Sequence, residues 1–180
     1  MELVQSHRPR RLVFLDETWF TTNMTRLFGY APSGKRLFDW QPQGHWKTTT
    51  FLAGLSIDGF IAPLVQDGPM NSESFVAYLD QVLCKEIRKG DLVILDNLSS
   101  HKTAAARAAF VRHAIAYEFL PPYSPDLNPI ENAFSKLKRL VRTAAERTVD
   151  GLWRAIGTLI DQFSRQECRN YLRHSGYPLR

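Results

Sequence analysis

The sequence predicts an α/β fold: a mixed five-stranded sheet with an antiparallel hairpin and flanking helices. Three observations predict it. Two short strand-like runs, Leu12–Leu15 and Asp91–Leu95, are each followed directly by an aspartate. Apolar runs of that length read as strands buried on both faces. Asp58-Gly59 separates two further strand-like stretches, Thr48–Ile57 and Phe60–Val65, and that dipeptide suits a two-residue hairpin turn. Helical patterns alternate with strands over the second half, as in a sheet covered by helices.

The elements follow in order. Residues 21–47 are rich in turn formers and aromatics and predict an irregular segment. Asn71-Ser72 opens a helix to about Arg88, with Phe75, Leu79, Val82 and Leu83 as its apolar face and Gly90 as its stop. Ser99-Ser100 caps an alanine-rich helix to about His113. Ile115–Leu120 is a strand, and Pro121 to Pro129 is a stiff loop containing four prolines. Asn128 is placed as an N-cap, with Pro129 at the first helical position and Glu131 at the third. Ile130, Phe134, Leu137 and Val141 then form one apolar stripe. A last helix is predicted from about Val149 to Tyr171. The whole reads as a single domain, with a core at about 11–145 and a helical extension at about 146–180.

Composition narrows the class. The chain has 180 residues, 44% hydrophobic and 23% charged, which suits one globular domain. No apolar run is long enough to span a bilayer, and the first residues, MELVQSHRPRR, lack the apolar stretch of a signal peptide. A cytoplasmic protein is expected. Cys84 and Cys168 support neither a disulfide framework nor a zinc cluster. Residues 1–132 hold 13 Lys and Arg against 14 Asp and Glu, whereas residues 133–180 hold 10 against 4. The basic excess therefore sits in the last quarter, where a polyanion is the natural partner.

Asp16 and Asp96 occupy matching places after the two apolar runs. On neighbouring parallel strands they would lie side by side, at the end of a sheet where α/β sites form. Two carboxylates so close repel, and a divalent cation with hard oxygen ligands relieves them. Two such ions clamp an in-line displacement at phosphorus. Glu17 competes with Asp16, since neighbours in a strand face opposite ways. Glu131 is the third candidate. Its alternative is a capping-box partner, and Asp126 is its competitor. His101 is either a DNA contact or a surface or capping residue. Trp19, Phe20, Trp40 and Trp46 are expected in the core, with base stacking as the alternative. Glu131, Ser135, Lys138 and Arg142 form a second stripe beside the apolar one, which would let Lys138 and Arg142 hold a phosphate. Arg165, Arg169 and Arg173 are the alternative cations. No Gly-rich phosphate loop, nucleophile elbow or zinc motif is present.

Three blocks, LVFLDETWF, LVILDNLSSHK and FLPPYSPDLNPIENAFSKLKRL, resemble the catalytic blocks of mariner-like bacterial insertion-sequence transposases of the DDE superfamily. The resemblance covers about residues 11 to 145. It implies a ribonuclease-H-like fold and places the catalytic, metal-holding acids at Asp16, Asp96 and Glu131. Between Asp96 and Glu131 lie 34 residues, the spacing of this branch. It further implies two Mg2+ or Mn2+ ions, cut-and-paste transposition, transposon-end and target DNA as partners, and a homodimer in the transposition complex. Relatives carry helix-turn-helix domains ahead of the core. Only about ten residues precede the first strand here, so recognition of specific ends is expected from a missing domain or a separate partner. The alternative function is an inactive remnant or DNA-binding accessory that keeps the fold. A structure-specific nuclease or resolvase on the same fold would share the metals but not the proline-rich loop.

Overall fold

The computed structural model describes residues 12–177. The extreme N-terminus, where the absence of a leader was read, lies outside them. Five strands form one mixed sheet: β1 (Leu12–Thr21), β2 (Thr48–Ser56), β3 (Gly59–Asp67), β4 (Leu92–Leu95) and β5 (Ala116–Phe119). Their order is β3-β2-β1-β4-β5. β1 is parallel to β4 and β4 to β5, while β2 runs antiparallel to both β1 and β3. The hairpin turns at Asp58-Gly59 as predicted. Gly59 has φ +124, a conformation open to glycine and poor for residues with a Cβ.

β1 is longer than its apolar run. It continues through Asp16 and Glu17 to Thr21 because β2 pairs with it that far, Thr21 opposite Thr48. Its side chains alternate between two cores. Leu12, Phe14 and Phe20 face one cluster, with Phe51, Phe134, Leu137 and Leu172; Val13 and Leu15 face the other, with Phe75, Leu79 and Phe110. Helices α3 (Pro129–Ala144), α4 (Val149–Ile160) and α5 (Arg165–His174) cover the first face, and α1 (Ser72–Tyr78) and α2 (Ala104–Arg112) the second.

α1 starts where the sequence put it. The Asn71 side chain accepts from Ser74 N–H at 2.8 Å, and Ser74 Oγ accepts from Asn71 N–H at 2.9 Å. Replacing Asn71 by alanine should destabilise the protein by about 1 kcal/mol in urea unfolding, the usual effect of losing such a cap; an unchanged midpoint would mean that the cap is redundant. The helix continues through a wide turn, Leu79–Leu83, to Glu86, which keeps Phe75, Leu79 and Leu83 buried. Among the described residues, no helix is long and apolar enough to cross a membrane.

Three expectations are corrected here. Ser99 and Ser100 do not cap the alanine-rich helix: Ser99–Lys102 is a tight 3-10 turn, and Thr103 caps α2 by accepting from Ala106 N–H. The single last helix is two, α4 and α5, because the chain turns after Ile160 and Ser164 caps α5 through Glu167 N–H. Of the aromatics assigned to the core, only Phe20 is there. Trp19 is 57% exposed, Trp40 94% and Trp46 56%. The last two ride on an irregular excursion, residues 22–47, which is fastened at its base where Thr22 N–H donates to Lys47 O and Arg147 donates to Met24 O.

Candidate active site

The parallel register of β1 and β4 places Leu15 opposite Leu95, so Asp16 and Asp96 stand level on adjacent strands. The two acids reach that level differently. β4 stops at Leu95 and Asp96 begins the loop, whereas Asp16 lies inside a strand that continues beside β2, opposite Ala53. Strand alternation puts Asp16 on the face of Phe14 and Phe20, toward α3, and Glu17 on the opposite face. Glu131 enters from the first turn of α3. All three acids line one cavity of about 750 Å³, together with Glu17, Trp19, Thr50, Ser135 and Lys138. Asp126 does not line it; it is exposed, on the side of Tyr177.

Each aspartate is oriented by hydrogen-bonding partners. Asp16 is 8% exposed. Its Oδ1 accepts from Glu17 N–H at 2.7 Å and its Oδ2 from Asn128 Nδ2 at 2.9 Å. Asn128 stands at the N-cap position of α3 as expected, but its side chain makes no cap bond and turns to Asp16 instead. Asp96 Oδ1 faces His101 Nδ1 at 2.7 Å and accepts from Leu98 N–H at 3.3 Å. His101 is fully buried, packed against the Phe75 ring at 4.3 Å. Direct DNA contact by His101 is therefore corrected: the ring sits beneath the carboxylates. Its Nε2 stands 3.9 Å from Glu17 Oε2, too far for a hydrogen bond, and both atoms are buried without such a partner.

The electrostatics follow from this crowding. Burial, reinforced by Asp96 and Glu131, raises the Asp16 carboxyl to about 7 against the pull of the Glu17 N–H and His101. Burial and Asp96 also raise Glu131, with Lys138 opposing. Repulsion between the acids is thus present but second to desolvation. Burial alone would depress His101; its bond to Asp96 and the charge of Glu17 overcome this and hold it at about 9. Among the described residues, no three His, Cys, Asp or Glu side chains stand close enough together to chelate an ion without moving.

A family model described as DDE superfamily endonuclease matches residues 11–152. The chain belongs to that superfamily. Solved structures with the same fold include the Mos1 strand transfer complex, at TM-score 0.68 and 20% identity over 93% of this chain and 51% of that one. The Mos1 transposase paired-end complex with left transposon end gives 0.67 and 21%, over 92% and 51%. The Mos1 transposase catalytic domain with raltegravir and Mg gives 0.63 and 17%, over 92% and 77%. The ribonuclease-H-like sheet with flanking helices is therefore as predicted. The chain spans about half the length of the first two Mos1 chains. None of the curated proteins matches the sequence.

In this DDE-superfamily chain the predicted basic stripe is only partly at the cavity. Ser135 and Lys138 line it and Arg142 does not. Lys138 Nζ sits 5.1 Å from the centre of the Trp19 ring, a cation–π contact at the cavity wall. Burial and then Arg142 depress Lys138, while Asp16 and Glu131 pull it back up. Arg165, one of the alternative cations, pairs with Asp58 at the hairpin turn, at 3.1 Å. The sequence reading missed Asn128 as a neighbour of Asp16. Its only signal was an asparagine three residues before Glu131, which capping also explains.

Proposed function

We propose that this chain is the catalytic domain of a DDE transposase, and that Asp16, Asp96 and Glu131 are its catalytic acids. The observation that carries the reading is the level placement of Asp16 and Asp96 on adjacent parallel strands, with Glu131 lining the same cavity. The donor set fits Mg2+ or Mn2+: three carboxylates offer hard oxygens and no soft ligand, and the buried Asp16, further raised by the charges of Asp96 and Glu131, is an acid whose ionised form a cation would stabilise. Apart from such a cation, like charges keep the acids spread, so binding would draw the side chains together. A pair of ions there would supply charge neutralisation for both the attacking and the leaving oxygen at phosphorus.

The reaction is hydrolysis of a phosphodiester at the transposon end, followed by attack of the freed 3′ hydroxyl on target DNA. The chain's own residues position it. Asp16 is the immobile acid, Asp96 is turned by His101, and Glu131 is set by the start of α3. Lys138 offers a cation to a neighbouring phosphate. The likeness to the Mos1 transposase paired-end complex with left transposon end supports DNA as substrate and two copies in the working complex. The protein works in the cytoplasm, on the nucleoid. Strand cleavage of a duplex bearing the element's terminal repeats, with Mg2+ or Mn2+ and with EDTA, tests the reading; cleavage that persists in EDTA would refute it.

The DNA path can be probed separately. Replacing Lys138 and Arg142 by alanine should weaken DNA binding for all sequences alike. Each lost phosphate contact should lower the slope of log K against log salt by about 0.9. An unchanged slope in the double variant would move the DNA path away from α3.

A further inference from the structure

We propose that Asn128 is a positioning residue that holds two of the three acids in fixed relation, and that this role, rather than helix capping, is why an asparagine stands there. The inference rests on the metal-dependent reading above. Three observations carry it. Asn128 is only 3% exposed and lines a neighbouring cavity that also takes in Asp96 and Glu131. Its Nδ2 donates to Asp16 Oδ2 at 2.9 Å, bridging residues far apart in the chain. Its main-chain oxygen accepts the N–H of Glu131 at 3.2 Å. One residue therefore grips Asp16 by its side chain and Glu131 by its backbone.

The residue is free to do this because α3 hardly needs a cap at that point. Pro129 occupies the first helical position and has no N–H to satisfy. The Glu131 N–H is already taken by the Asn128 carbonyl, and the Asn128 N–H goes to Pro125 O at 3.0 Å. The proline-rich loop from Pro121 to Pro129 fixes the backbone on the other side. With its own N–H and carbonyl both engaged, Asn128 has its side-chain amide left to turn inward. It supplies a donor, which is what Asp16 can use: a carboxylate oxygen that accepts one bond still has a lone pair for an ion. An acceptor or an apolar group at this place would leave Asp16 Oδ2 without its donor, the carboxylate then held only at Oδ1 by the Glu17 N–H.

Capping and positioning predict different substitution patterns. Serine caps helices about as well as asparagine, and threonine somewhat less well, but their hydroxyls sit one bond nearer the backbone than the amide nitrogen that meets Asp16 at 2.9 Å. The test is Mn2+ binding by electron paramagnetic resonance, on the metal alone with no DNA, for the wild type, Asn128→Ser, Asn128→Ala and Asp16→Asn. Folding of each is checked by circular dichroism at the same temperature. We expect Asn128→Ser and Asn128→Ala to weaken Mn2+ binding alike, by about tenfold or more, the usual effect of losing a partner of a metal ligand. In an Asp16→Asn background the serine change should have no further effect, because the partner it orients is gone. Serine binding Mn2+ as tightly as wild type, with alanine alone impaired, would overturn the proposal in favour of capping. If Asn128→Ser does not fold, Asn128→Thr takes its place with the same two outcomes. Failure of the wider reading looks different: the wild type would then bind no Mn2+, or Asp16→Asn would bind it equally well.

Discussion

Asparagine in place of Asp96 should reduce metal-dependent strand cleavage by at least about a thousandfold while leaving the fold intact; that factor corresponds to about 4 kcal/mol of barrier, within the several kcal/mol a metal-clamped charge can contribute. The substitution is close to isosteric. The side-chain oxygen that faces His101 Nδ1 at 2.7 Å and Leu98 N–H at 3.3 Å survives in the amide. What is lost is the negative charge. Asp96 stands at the end of a strand, and its carboxyl is not enclosed, with 26% of the side chain exposed, so the neutral amide leaves no cavity. Cleavage and circular dichroism should therefore separate cleanly: activity gone, spectrum unchanged. A variant that cut DNA at the wild-type rate would remove Asp96 from the mechanism.

The second large effect is on stability, and it depends on pH. Burial, reinforced by the charges of Asp96 and Glu131, raises Asp16 from the ordinary aspartate range to about 7, so the folded state prefers the protonated acid. The stability that Asp16 contributes is fully present below its unfolded value and is lost as the pH climbs through about 7. A shift of that size corresponds to a few kcal/mol, at about 1.4 kcal/mol per unit. In urea unfolding without metal, Asp16→Asn should be more stable than wild type at pH 8 by up to about that amount, and the difference should vanish near pH 4. Saturating Mg2+ at pH 8 should restore the wild type and do little for the variant, because the ion binds only the folded, ionised site. Parallel pH curves for the two proteins would show that Asp16 bears no such burden.

Much of the site was legible in the sequence because its chemistry is written locally. Asp16 and Asp96 each follow an apolar run, and Glu131 sits beside a proline that opens a helix. The hairpin was legible for the same reason, since Asp58-Gly59 carries its turn in two residues. What was not legible depends on partners remote in the chain. Whether Asn128 caps its own helix or reaches Asp16 is decided by where β1 lies. A lone histidine near a helix start reads as surface, yet the 3-10 turn that replaces that start swings His101 inward between Asp96 and Phe75. Trp40 and Trp46 read as core by their chemistry alone, but lie on an excursion with little to pack against. The continuous amphipathic pattern after Val149 hid the turn that separates α4 from α5.

The place of Asp16 inside β1, rather than at its tip, ties correctness of folding to competence. The same twofold period that points Asp16 at α3 also points Phe14 and Phe20 into their core and Val13 and Leu15 into the other. A slip of β1 by one position against its neighbours would aim Asp16 away from Asp96, and in the same stroke would send two phenylalanines out of their pocket. Misaligned chains would thus be both catalytically silent and poorly packed. If the chain cuts DNA as proposed, a mispaired molecule able to cut but unable to hold its shape would be a hazard, and the alternation of a single strand excludes it.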